Sequence, residues 1–262
     1  MIRLSRLPST NTKFMFSTKN TISAFLSTVS LFYSLTTFSQ NNTLTEKEKK
    51  DGWKLLFDGK TSTGWVGVFK DKFPDKGWKI ENGELIVLKS DGGESTNGGD
   101  IVTTKLYSNF ELTLEVKLTP VANSGVKYFV DPAQPTVTGK SALGLEFQLL
   151  DDERHPDAKN GRDGNRTIGS LYDLITASKD KKPAPIGEWN KVKIISNGNH
   201  VEHWLNGLKT VEYERGSKEF MDLIAISKYK DKPGFGLCKE GYILLQDHGD
   251  EVHFRNIKIK EL

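Results

Sequence analysis

Phe110-Glu-Leu-Thr-Leu-Glu-Val-Lys-Leu118 alternates apolar and polar residues without a break. Successive side chains of a β-strand point to opposite faces. Phe110, Leu112, Leu114, Val116 and Leu118 therefore share a face to be covered, and Glu111, Thr113, Glu115 and Lys117 share one that water can reach. Outward from this strand, others are predicted over 83–89, 126–130, 143–150, 190–196, 201–205, 242–246 and 252–260. Turn residues separate them: Glu81-Asn82-Gly83, Ser124-Gly125, Asn197-Gly198-Asn199 and Asn206-Gly207. No long amphipathic helix interrupts the series. Many short strands divided by Gly and Asn turns predict an all-β fold, a sandwich or jelly roll.

The chain starts differently. Residues 1–39 contain Arg3, Arg6, Lys13 and Lys19 but no acidic residue, and an apolar run from Ile22 to Phe38 follows the last of them. A basic start, a short apolar run and small residues near 39 predict a signal peptide over 1–39 and a secreted or periplasmic protein. The apolar run falls short of the ~20 residues a membrane span needs. A flexible polar leader is expected over 40–51 and one β domain over 52–262. With four of the 37 Lys and Arg in the first 39 residues, 33 remain against 34 Asp and Glu, a formal charge of −1. That balance offers no surface for a polyanion, and no nucleic-acid motif is present. Cys238 is the only cysteine, so no internal disulfide can form.

Two long segments, 151–187 and 212–241, lack strand alternation, and loops of that length in a compact β domain usually carry function. The first begins Asp151-Asp-Glu-Arg-His-Pro-Asp157 and continues to Gly169-Ser-Leu-Tyr-Asp-Leu174. The strand feeding it, Gly144-Leu-Glu-Phe-Gln-Leu-Leu150, puts Leu145, Phe147 and Leu149 on one face and Glu146 with Gln148 on the other. In Asn123-Ser-Gly-Val-Lys-Tyr-Phe-Val130, strict alternation would give Lys127 a face with Phe129, opposite Val126, Tyr128 and Val130. An inward Lys127 would want an acidic partner, and Glu146 is a candidate. His203 shares a strand face with Leu205, opposite Glu202 and Trp204. Asp151, Asp152, His155 and Asp157 could wrap a divalent cation, although no established metal spacing occurs. No Gly-x-Ser-x-Gly, Walker loop or dinucleotide fingerprint is found.

Taken in order, several motifs resemble the 3-keto-disaccharide hydrolase domain family. They are Gly52-Trp-Lys-Leu-Leu-Phe-Asp-Gly59 with Gly64-Trp65, Trp78 before Glu81-Asn-Gly-Glu-Leu85, and Asn123-Ser-Gly125. Gly144-Leu-Glu-Phe-Gln-Leu-Leu-Asp151, His155-Pro-Asp-Ala158, Gly187-Glu-Trp-Asn190, His203-Trp-Leu-Asn-Gly207, Leu245-Gln-Asp-His-Gly249 and Phe254-Arg-Asn-Ile-Lys258 complete the set. The resemblance implies a concanavalin A-like jelly-roll sandwich of two antiparallel sheets. It also implies action on glycosides already oxidised at C3 by a separate oxidoreductase.

The chemistry of such substrates suits these residues. Retaining glycosidases need two carboxylates, and Glu146-x-Gln148-x-Leu150 supplies one on its strand. A ketone at C3 acidifies the C2 proton, so a base can remove it and the C1 substituent can leave by elimination, with water adding afterwards. Glu146 or His155 is expected as the base, and Lys127 or a bound cation as the group that stabilises the enolate. Gln148, Asp151, Tyr172, Trp189 and His203 are expected to hold the sugar. The alternative is a lectin-like carbohydrate-binding module with no catalytic role. Perturbed carboxyl or His groups in a cleft would favour the enzyme.

Overall fold

The computed structural model describes residues 41–90, 93–131 and 141–262, with Lys13 and Met15. The segment 1–39, expected to be a signal peptide, otherwise lies outside the described residues. Two antiparallel sheets carry the fold. The first runs in the order β11 (Leu208–Glu214), β10 (His200–Leu205), β9 (Trp189–Asn197), β6 (Phe110–Leu118), β13 (Val252–Glu261), β4 (Glu84–Val87) and β3 (Trp78–Glu81), with β1 (Trp53–Leu55) also paired to β13. The second runs β2 (Trp65–Gly67), β5 (Ile101–Thr103), β12 (Tyr242–Leu245), β7 (Asn123–Val130) and β8 (Leu145–Leu150). The all-β jelly-roll expectation is met.

β6 lies in the middle of the larger sheet, hydrogen-bonded to β9 and β13. Its five apolar side chains are all buried in the core and its four polar ones are partly exposed. Each such burial contributes roughly 1.5–3 kcal/mol, which is why the alternation fixes the strand's register as well as its existence. Phe147, Leu145 and Leu149 of β8 meet this layer from the second sheet. The β3–β4 and β10–β11 hairpins turn on Asn82-Gly83 and Asn206-Gly207, whose φ angles of 52° and 78°, and 50° and 84°, are the left-handed pair a two-residue hairpin needs.

Three local expectations change. Residues 41–51 of the expected leader are not free: Thr45 caps a short helix, α1 (Glu46–Lys50), with Glu48 returning the bond. Asn42 is buried, donates to Gly83 O at 2.8 Å and accepts from Asn256 N at 2.8 Å. Ser124-Gly125 lies inside β7 and makes no turn. Phe129 adopts φ 51° where the β7–β12 register slips, so the alternation breaks there. Phe129 consequently enters the main core beside Tyr128, and Val130 turns to the opposite side. Lys127, ahead of the slip, keeps its outward face. Among the described residues no helix is long and apolar enough to cross a membrane. The longer one, α2 (Lys218–Ala225), lies in the segment after β11.

Candidate active site

The polar faces of β7 and β8 meet across their ladder. Lys127 stands directly opposite Glu146, and Gly125 opposite Gln148. Because their neighbours Val126, Tyr128, Leu145, Phe147 and Leu149 fill the core, Asn123, Lys127, Glu146 and Gln148 project from the other side of the second sheet. There they floor a cavity of about 300 Å³. Its walls are loops: Glu94, Ser141 to Gly144, Tyr172, Lys228, Tyr229, Lys232, Gln246 and His248. The 151–187 segment reaches the site by running back along the free edge of β8. Gln148 N donates to Ser170 O at 3.1 Å, Gly169 N to Gln148 O at 2.9 Å, and Tyr172 N to Glu146 O at 3.0 Å. These bonds cover an edge that would otherwise be open and set Tyr172 beside Glu146.

The floor holds ionisable groups at low exposure. Lys127 is 6 % exposed and Glu146 4 %. The Lys127 Nζ lies 3.4 Å from both Ser141 Oγ and Ala142 O, 3.7 Å from Glu94 Oε1 and 3.8 Å from Asp100 Oδ2. Burial opposes its charge, but Glu146, Asp100 and Glu94 outweigh that and hold its pKa above the ordinary value. Burial raises Glu146, partly offset by the positive charges of Lys127 and Lys228. Burial would also raise Glu94, yet Lys127, His248 and Lys228 leave it below the usual carboxyl value. At the other wall His248 contacts the Asn123 amide at 3.2 Å, and burial lowers its pKa, so the ring is neutral near pH 7. Although Lys228 is exposed as a residue, its ammonium stands 4.2 Å from the centre of the Tyr172 ring, and desolvation there lowers its pKa.

Gly125 makes the arrangement possible. A methyl group built on it would overlap the Glu146 carboxylate, with Cδ only 2.8 Å away. The glycine therefore leaves the space in which Glu146 lies over β7. Gly125→Ala is expected to push Glu146 out of line and cut kcat by about 10²-fold, the usual cost of a misplacement near 1 Å. Steady-state kinetics with a circular dichroism check on folding would test it; near-normal kcat would show that the carboxylate position is not critical.

Of the residues expected from sequence, Lys127, Glu146, Gln148 and Tyr172 converge on this cavity. The Tyr172 hydroxyl is already committed, donating to Asp157 Oδ2 at 2.8 Å, and Asp157 is in turn held by Arg166 at 2.9 Å. Tyr172 thus offers its ring more than its hydroxyl. Four others go elsewhere. His155 caps the 3₁₀ turn Pro156–Lys159, its Nδ1 accepting from Asp157 N at 3.1 Å. Its ring is 6.2 Å from that of His248 and lies outside the cavity lining. Asp151 is buried as a loop anchor, accepting from Val121 N at 2.9 Å and from Arg154. Trp189 packs on the outer face of the larger sheet, with the Arg255 guanidinium 3.9 Å from its ring centre and Lys117 at 4.7 Å. His203 follows Leu205 into the core, where its Nε2 meets the Tyr128 hydroxyl at 2.7 Å and burial lowers its pKa to about 3. A sugar on the cavity floor reaches none of the last three.

The acid-rich loop also fails to converge as a metal site. Asp152 accepts from Ile168 N and Lys181, Asp157 from Tyr172 and Arg166, and Asp151 from Val121 N and Arg154, so each carboxylate is aimed at its own partner. Among the described residues, the group with ligand atoms close enough for one cation is His200, Glu202 and Glu212, on β10 and β11. Glu94, Lys228 and Tyr229 were not singled out from sequence, and Asn123, Gln246 and His248 appeared there within motifs with no site role assigned. The loop positions Glu94, Lys228, Tyr229 and His248 have no periodicity to mark them, and Asn123 has the look of a turn residue.

Residues 52–260 match the 3-keto-alpha-glucoside-1,2-lyase-like domain family. The chain belongs to that family. It is 40 % identical over 235 residues to a 3-keto-disaccharide hydrolase of Bacteroides thetaiotaomicron, covering 81 % of this chain and 79 % of the relative. A crystal structure from Parabacteroides distasonis, described as a candidate glycosyl hydrolase, superposes with a TM-score of 0.74 at 35 % identity, covering 85 % of this chain and all of that one. A second such structure from the same organism gives 0.58 at 27 % identity, over 80 % of this chain and 99 % of that one. The match begins at Gly52, where β1 is about to start, and ends in the last strand, so the family's fold and the sandwich described above are the same unit.

Proposed function

We propose that the protein cleaves the glycosidic bond of 3-keto-glycosides by elimination and rehydration at the cavity on β7 and β8. One observation carries the reading: a buried ammonium and a buried carboxylate, Lys127 and Glu146, stand opposite each other on the floor of a pocket sized for a sugar ring. Family membership and the activity of the Bacteroides relative support it.

Glu146 takes the C2 proton, and burial, which raises its pKa, makes it a stronger base than an exposed carboxylate. The electron pair left at C2 spreads onto the C3 oxygen, where the Lys127 ammonium stabilises the enolate. As the enolate collapses, a C1–C2 double bond forms and the C1–O bond breaks, with Glu146 returning its proton to the departing oxygen. Water then adds to C1 of the unsaturated ketone and a proton returns to C2. His248, neutral and at the cavity wall, activates that water. The ketone is supplied by a separate oxidoreductase, and the 1–39 segment would direct the protein to the periplasm or beyond.

A lectin-like module would explain the tyrosines but not the floor, because sugar binding needs no buried charge cluster and burying one is costly. A 3-keto-glucoside deuterated at C2 separates the routes. Elimination predicts slower release of the aglycone and loss of the label to water. Retention of the label through full turnover would establish direct hydrolysis instead. Binding without turnover of either the keto sugar or its unoxidised parent would favour the lectin reading.

A further inference from the structure

Behind Lys127, on the side away from the cavity, lies a group that the proposed steps leave unused. Asp100 precedes β5, is fully buried and lies outside the cavity lining. Its Oδ1 accepts from Ser95 Oγ at 3.1 Å and from Asp247 N at 3.0 Å. Its Oδ2 accepts no hydrogen bond and is 3.8 Å from the Lys127 Nζ. The loop holding it is itself pinned: Asp247 Oδ2 accepts from Gly98 N at 3.0 Å and Gly99 N at 2.9 Å. A buried carboxylate oxygen with no hydrogen-bond donor is expensive unless a charge faces it. Here the facing charge is the ammonium on the cavity floor.

We propose that Asp100 is a positioning residue that fixes and charges Lys127 from behind, so that the ammonium is presented to the C3 oxygen. The inference rests on the reading of Lys127 given above. The groups facing Lys127 are Glu146 on β8, Asp100 and Glu94 from the segment before β5, Lys228 after α2 and His248 after β12. Glu94 and Glu146 line the cavity and meet the substrate as it enters, whereas Asp100 does not. Asp100 is thus the carboxylate whose hold on Lys127 survives substrate binding unchanged. Burial raises its pKa to about 7, with Lys127 opposing, so Asp100 carries its charge fully only above neutrality.

The test is the kcat–pH profile of Asp100→Asn beside that of the parent. An opposite charge this close is worth about one pH unit or more. Without it the Lys127 pKa falls, and the alkaline limb of kcat should move to lower pH by at least about that amount while KM changes little. A merely structural role would lower kcat or thermal stability without moving the limb, and a limb that stays in place overturns the proposal. If Asp100→Asn does not fold, Asp100→Ser carries the test. It removes the charge behind Lys127 with a smaller side chain that can still hydrogen-bond, and should shift the limb in the same direction; an unmoved limb again overturns it. Lys127→Met separates the two levels: full activity would sink the role of Lys127 itself, whereas an inactive Lys127→Met beside an unshifted Asp100→Asn would sink only Asp100.

Discussion

Glu146→Gln is expected to lower kcat on a 3-keto-glucoside by about 10²–10⁴-fold, the usual contribution of a positioned general base. The amide keeps the size of the carboxyl, so the space above Gly125 stays filled and the β7–β8 ladder is not disturbed. Gln148 and Asn123 remain beside it, their side chains 3.2 Å apart. The variant also relieves a cost. Three carboxylates, Glu146, Asp100 and Glu94, surround the Lys127 ammonium, and burial raises the pKa of the first two. Neutralising Glu146 removes like-charge repulsion without stripping Lys127 of its other partners. Thermal stability near neutral pH should therefore be unchanged or slightly higher, while turnover collapses. Kinetics and a melting curve on the same preparation check both halves. A variant that melts normally and still turns over within tenfold of the parent would remove Glu146 from the chemistry and move attention to His248.

Much of this site could be read in the sequence, for a physical reason. Glu146, Gln148 and Lys127 sit on strands whose other faces are plainly apolar, so alternation alone sends them to the opposite side. The same rule explains His203: it shares a face with Leu205, and that face is the core. The histidine's chemistry drew it into the site, while its period placed it correctly. Short strands escaped the reading. β1, β2 and β5 have three residues each, too few to show a period. β11 begins beside a register slip between His203 and Trp204 that scrambles its pattern. The cavity wall was hidden for another reason. Glu94, Lys228 and His248 come from loops more than a hundred residues apart in places, and only the closed sandwich brings them round Lys127 and Glu146.

Lys127→Met should be the more damaging change, because it removes both a catalytic charge and the counter-ion of a buried cluster. Loss of a preorganised group that stabilises an oxyanion typically costs about 10²–10³ in kcat. Stability should fall as well: taking one partner from a buried ion pair costs about 3–5 kcal/mol when the other is left charged. The sign of its pH dependence follows from the groups that remain. Asp100 has a folded pKa of about 7 even with Lys127 present, and Glu146 is also raised. Lys127 lowers both, so its removal raises them further. The folded variant then holds protons on these carboxyls that the unfolded chain has released. The stability this provides is fully present below the unfolded carboxyl pKa near 4. It is lost as pH rises through the folded values, at and above neutrality. Lys127→Met should accordingly melt close to the parent at pH 5 and well below it at pH 9, a gap that Glu146→Gln should not show. Equal destabilisation at both pH values would mean that the methionine has merely disturbed packing, and that the ammonium does not hold the carboxylates ionised.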